Sequence, residues 1–207
     1  MINIISNNPL DLYLKSFLEL YESEDIKGDP RNYKDVTAIL SLNNYEPDPS
    51  VYLDKDGFVS NFNYDEYIVG GNDWMKVEIN HYGEEFIKSG KIDQLAKLFK
   101  HDPYTRRGVI DLWNNPKLDL KKPFPCTVYA WFRKIGNKLN LNYHMRADDS
   151  YKILLMDIHI GTSLHVYVAK KIGLELGSYN HIVDSLHFYK EHEKNIEELH
   201  NRLKKYD

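Results

Sequence analysis

A single cysteine, Cys126, stands among 207 residues. An intrachain disulfide is therefore impossible, and so is a zinc site built on several thiolates. No apolar run approaches the ~18 residues of a membrane-spanning helix, and no basic stretch precedes a hydrophobic one at the N-terminus. Neither an anchor nor a secretion signal is expected, and the chain reads as cytoplasmic. Positive charge is also in short supply: 27 Lys plus Arg face 31 Asp plus Glu, for a net charge of −4 and a pI near 6.1. That balance argues against direct nucleic-acid binding or a polybasic membrane surface, so any affinity for phosphate must come from a local cluster. There is no GxGxxG or Walker A loop to cradle a dinucleotide or nucleoside triphosphate, and no HExxH spacing among the nine histidines, so no metal is expected. Internal repeats and low-complexity tracts are absent too, and the length suits a single domain over 1–207.

What the chain does have is tyrosine, 16 residues of it, suited to an aromatic core or to a site that stacks planar rings. From Pro9 to Tyr21 the residues Leu10, Tyr13, Leu14, Phe17, Leu18 and Tyr21 recur at three- and four-residue spacing behind Asn8 and Pro9, predicting an amphipathic helix. Val36 to Leu42 and Phe58 to Phe62 read as strands. Tyr64 to Ile79 carries a helical pattern broken by Gly70-Gly71, and Lys91 to Lys100 a short helix. Gly108 to Trp113 reads as a strand. Cys126 to Ile135, the Gly136-Asn137 turn and Lys138 to Arg146 form the clearest hairpin, with Leu139, Leu141, Tyr143 and Met145 alternating against polar neighbours. A long helix is predicted from Ser150 to Ile172, closed by Gly173, then a strand over Tyr179 to Phe188. A charged helix follows with Ile196, Leu199, Leu203 and Tyr206 inward. The order is α+β and not a βαβ repeat.

Cys126 follows a proline-rich loop at the mouth of a strand, where a thiol can sit in a cleft. Arg106, Arg107 and Arg146 flank β elements and offer the cations and planar forks that stabilise a thiolate or grip a phosphate. In order and spacing, the run His101-Asp102-Pro103-Tyr104-Thr105-Arg106-Arg107-Gly108, then Pro125-Cys126, Arg146-Ala147-Asp148-Asp149 and His187-Phe188-Tyr189 resembles the thymidylate synthase superfamily. The likeness is close over Tyr82 to His192 and loose in the N-terminal third. It implies a mixed β-sheet around a long buried helix and a sheet-mediated homodimer in which Arg106 and Arg107 reach the partner's nucleotide phosphate. It further implies Cys126 as nucleophile, Arg146 holding both phosphate and thiol, Asp149 among the substrate-binding residues, His187 with Tyr189 on the sugar hydroxyl, and Tyr82 near the pyrimidine. The implied substrates are a pyrimidine deoxynucleoside monophosphate and 5,10-methylenetetrahydrofolate.

Within the superfamily the details are similar to the phage-type deoxycytidylate hydroxymethylases. Synthases have histidine after the cysteine, glutamine before the arginine and asparagine eleven positions beyond it; here these places hold Thr127, Met145 and Asp157. Cytosine presents an N3 acceptor and an N4 donor, so a protonated Asp157 would donate to N3 and accept from N4, selecting dCMP over dUMP. In the mechanism so implied, Cys126 adds to C6, C5 takes the one-carbon unit, and attack by hydride or by water decides between a methyl and a hydroxymethyl product. The chain stops at Lys204-Lys205-Tyr206-Asp207 without a hydrophobic tail, and the wetter pocket so expected suits hydroxylation. Two places depart from the family. Counted without gaps, the glutamate that organises water and protons around the base falls on Gly71, so Glu66 or Asp73 would have to substitute, or turnover would be lost in a nucleotide-binding relative. The N-terminal phosphate ligand is either Arg31 or Lys34.

Overall fold

The computed structural model describes residues 1–26, 29–113 and 125–204. Strand β1 (Ile2–Ser6) leads into helix α1 (Pro9–Glu22). Asn8 starts the helix by accepting from the Asp11 amide, and Pro9 occupies the first turn, where no amide is needed. Then come β2 (Asn32–Leu42) and a separate small hairpin, β3 (Val51–Leu53) with β4 (Phe58–Ser60). The predicted helix over 64–79 is divided. A 3₁₀ turn covers Tyr64–Glu66, and α2 (Gly71–Gly83) begins only after Gly70, which takes a left-handed φ of 71°. Helix α3 (Lys91–His101) and the strands β5 (Val109–Asp111), β6 (Thr127–Ile135), β7 (Lys138–Met145) and β8 (Asp148–Asp149) follow. Helix α4 (Leu154–Ile172), β9 (Glu175–Tyr189) and α5 (Glu193–Leu203) close the described chain.

Seven strands form one mixed sheet in the order β1-β2-β9-β7-β6-β5, with β8 alongside β9. β9 runs antiparallel to β2 and parallel to β7 and β8. Alternation decides which face of the sheet is covered. Leu139, Leu141, Tyr143 and Met145 of β7, with Tyr179, His181 and Val183 of β9, point to the helices and are fully buried. Asn140, Asn142 and His144 on the opposite face are only half-buried. On that face a side-chain ladder joins Ser41 Oγ to Asn180 Oδ1 (2.8 Å) and Asn180 Nδ2 to Asn142 Oδ1 (2.8 Å). Helix α4 is buried continuously from Leu154 to His165. A helix buried on every side can lie only at the centre of the fold, and α4 is packed among the sheet, α1, α2, α3 and β3.

The α+β architecture with a mixed sheet and a long buried helix is therefore as expected. Strands β1 and β3 went unanticipated, and Tyr206 and the C-terminal residues 205–207 lie outside the described residues. Among the described residues no helix is long and apolar enough to cross a membrane.

Candidate active site

The edge of the sheet where β6 begins and β7 ends meets the N-terminal turn of α4 and one face of α2. The register here is tight. The Arg146 amide donates to the Cys126 carbonyl (2.9 Å), extending the β6–β7 ladder by one rung and placing the two side chains together. Arg146 Nη2 stands 3.8 Å from Cys126 Sγ, and its Nε donates to the Pro125 carbonyl (3.2 Å). β8 then pairs Asp148 with Leu186 and Asp149 with His187. Together they wall a cavity of about 570 Å³ lined by residues including Cys126, Arg146, Asp148, Asp149, Asp157, His187 and Tyr189. That volume suits a small-molecule site.

Helix α2 supplies the opposite wall through Trp74, Val77, Glu78 and Tyr82, which recur at helical spacing on one face. Glu78 is the acidic residue that α2 brings to the cavity wall. Gly71 cannot stand in for a glutamate, because a Cβ built there would lie 2.8 Å from Tyr64 Cβ. Neither Glu66 nor Asp73 lines this cavity. Glu66 lines a different hollow with Asp65 and Arg202, and Asp73 is an exposed partner of Lys76 at 2.7 Å. The spacing of Glu78, four residues after Trp74 and four before Tyr82, is the signal that could have found it.

Each site group has a distinct electrostatic setting. Burial pushes the Cys126 thiol up to about 12, and the Arg146 guanidinium works against it. Asp157 is 1% exposed, and neither carboxyl oxygen has a hydrogen-bond partner among the described residues. Burial, reinforced by Glu78, raises its pKa well above the usual carboxylate range. Tyr82 is buried and its hydroxyl meets Thr127 Oγ1 at 2.8 Å; Thr127 in turn meets the Tyr143 hydroxyl at 2.9 Å. Asp149 Oδ1 accepts from the amides of Tyr151 (3.0 Å) and Lys152 (3.2 Å), which offset part of the upward push of burial on its pKa. His187 Nδ1 lies 3.0 Å from the Ser185 carbonyl and so carries the proton, leaving Nε2 as a buried acceptor without a partner.

Other anticipated residues fall outside the cavity wall. Arg31 is held by Asp29 through Nε (3.2 Å) and Nη2 (3.0 Å), although its carbonyl accepts from the Lys190 amide just past Tyr189. Lys34 is bonded to the Ser23 carbonyl and to Asp25 and does not line the cavity. Arg106 and Arg107 lie between α3 and β5, exposed and away from the cavity of their own chain. Among the described residues no group of three or more His, Cys, Asp or Glu is arranged to hold a metal ion.

A thiol beside a guanidinium, with carboxyls and a histidine acceptor around one cavity, is the kind of arrangement that suits covalent chemistry on a small polar substrate. The thymidylate synthase family model matches residues 63–206, and the chain belongs to that family. It is thus a folate-dependent one-carbon transferase of the class that acts on C5 of pyrimidine nucleotides.

Proposed function

We propose that the chain hydroxymethylates dCMP at C5, in the manner of the phage-type deoxycytidylate branch of the family. The observation that carries this reading is Asp157: a carboxyl on the cavity wall, buried, without any donor to support a charge, and held protonated by its surroundings. Such a group offers one donor and one acceptor side by side. Cytosine presents their complement at N3 and N4 when the acid proton is on the oxygen that faces N3.

The remaining residues take roles that their settings support. Cys126 adds to C6 of the ring and loses its proton in doing so, with Arg146 as the cation that favours the thiolate. Arg146 also faces the nucleotide phosphate, His187 Nε2 accepts from the sugar hydroxyl, and Tyr189 lies beside it. Asp149, fixed by two backbone amides, shapes the floor under the base. Glu78 organises water and protons around the ring, so the loss of a side chain at residue 71 no longer favours a binding-only relative. Bound 5,10-methylenetetrahydrofolate supplies the one-carbon unit. The half-exposed Trp74 indole, with Lys152 Nζ 4.6 Å above its ring, and Val77 give an apolar wall against which its flat heterocycle fits.

The test is tritium release from C5-labelled dCMP and dUMP in the presence of methylenetetrahydrofolate, with the product mass measured in parallel. The expected result is release from dCMP with a hydroxymethyl product, and a shift of preference toward dUMP in Asp157→Asn. Release from dUMP alone, or unchanged selectivity in Asp157→Asn, would remove the base-reading role of this residue.

A further inference from the structure

Behind the cavity wall runs a chain of buried polar groups for which the reaction described above has no use. Asp148 Oδ2 lies 3.2 Å from His181 Nε2, and His181 Nδ1 lies 2.7 Å from the Tyr179 hydroxyl. Tyr179 and His181 are fully buried and Asp148 is 2% exposed. The position of Tyr179 is set by Gly161, one helical turn beyond Asp157 on α4, where a Cβ would come within 2.3 Å of the phenol oxygen.

The protons in this chain can be assigned from the geometry. The Tyr179 hydroxyl has His181 Nδ1 as its one acceptor among the described residues, so the phenol donates to Nδ1. The imidazole proton is then on Nε2, and it donates to Asp148 Oδ2. An acid proton on Asp148 would have to sit on Oδ1, which is buried and without a partner. This hydrogen bond favours the carboxylate form of Asp148 and opposes burial and the neighbouring carboxyls, which push its pKa up. Asp157 is in the opposite situation, since no donor reaches either of its oxygens. Two carboxyls in one water-poor pocket cannot both ionise without a large electrostatic cost, and the one that receives a hydrogen bond ionises first. The charged and titratable groups that face the pair are Glu78 and Tyr82 on α2, Asp149 on β8, Lys152 just before α4, Cys126 and Arg146 at the β6–β7 end, Tyr143 on β7, His187 and Tyr189 on β9, and Glu191 and His192 just after it.

We propose that the Tyr179–His181–Asp148 chain makes Asp148 the carboxylate that carries the negative charge of the pocket and thereby keeps Asp157 protonated, so that Asp148 and His181 are positioning residues for base choice. The proposal rests on the reading of Asp157 as the group that reads the base. A raised Asp157 pKa makes cytosine preference complete below that pKa and lost as the pH rises through it. Removing the Asp148 charge lowers the pKa and moves the loss to lower pH.

The experiment measures the ratio of dUMP to dCMP dissociation constants against pH, by calorimetry on the full chain carrying Cys126→Ser to prevent covalent addition. Asp148→Asn is expected to lower the pH midpoint at which preference is lost by about one to two pH units. His181→Phe, which removes the donor and lets Asp148 take up the proton, should move the midpoint the same way, and His181→Gln, which restores a donor, should return it. A purely structural role would weaken both nucleotides together and leave the midpoint in place. Midpoints of Asp148→Asn and His181→Phe equal to that of the parent, with pH dependence abolished by Asp157→Asn, would overturn the proposal while keeping the base-reading role. Absence of cytosine preference in the parent, or its persistence in Asp157→Asn, would overturn both.

Discussion

At Cys126 two opposing influences meet, and the balance between them sets reactivity. Burial favours the thiol, whereas Arg146 favours the thiolate. Removing the guanidinium in Arg146→Ala leaves only the first influence, so the thiol pKa rises further and the thiolate fraction at a fixed pH falls. A change of about one pKa unit corresponds to about tenfold slower alkylation by a neutral reagent such as iodoacetamide. An unchanged rate would show that the 3.8 Å contact has no electrostatic effect. Cys126 and Arg146 were legible in the sequence because their place is tied to a hairpin with strong period-two alternation. Glu78 was not, because the count across Gly70-Gly71 assumed continuous helix. The structure spends residues 67–70 on a turn, and the face of α2 that meets the site is displaced by seven residues from the counted one.

Among the elements, α4 connects stability to chemistry most directly. Its first turn carries Asp157 and its second turn carries Gly161, whose missing side chain lets the Tyr179 phenol approach the helix. Gly161→Ala should displace Tyr179, weaken its bond to His181 and destabilise the fold by about 1–3 kcal/mol, as overpacking in a close-packed core does. The shift in the urea midpoint checks this, and a stability equal to the parent would mean that the ring relocates without cost. The helix itself was readable from its continuous apolar run and its Gly173 cap, which adopts a left-handed φ of 74°. The histidines on α4 and β9 could not be interpreted from spacing. His159, His165 and His181 meet the hydroxyls of Tyr64, Tyr45 and Tyr179 inside the core; the first two pairings join segments far apart in the sequence, and the third lies within β9.

For the whole molecule, the placement of Arg106 and Arg107 outside their own cavity is the feature that bears on assembly. If each site takes these arginines from a second copy, two defective variants should complement each other. An Arg106→Ala/Arg107→Ala chain mixed with a Cys126→Ser chain would then form hybrids in which one site has both an intact thiol and intact arginines. With random exchange, roughly a quarter of the parental tritium release should return. No recovery after verified subunit exchange would assign the arginines another role. The N-terminal third was the hardest part of the sequence to place, and the family match likewise begins at residue 63. Its strand β2 nevertheless pairs with β9 along most of its length, which local periodicity cannot reveal because the partners are more than a hundred residues apart.

The central position of β9 also has a consequence for synthesis of the chain. Residues 175–189 join β2 on one side to β7 and β8 on the other, and they carry both His181 and His187. Until that segment leaves the ribosome, the N-terminal strands and the β6–β7 hairpin have no strand between them. A nascent chain lacking it can have local helices and a hairpin but not the sheet. Assembly of the active site is therefore necessarily one of the last events of folding, and contacts so distant in sequence make that event slow.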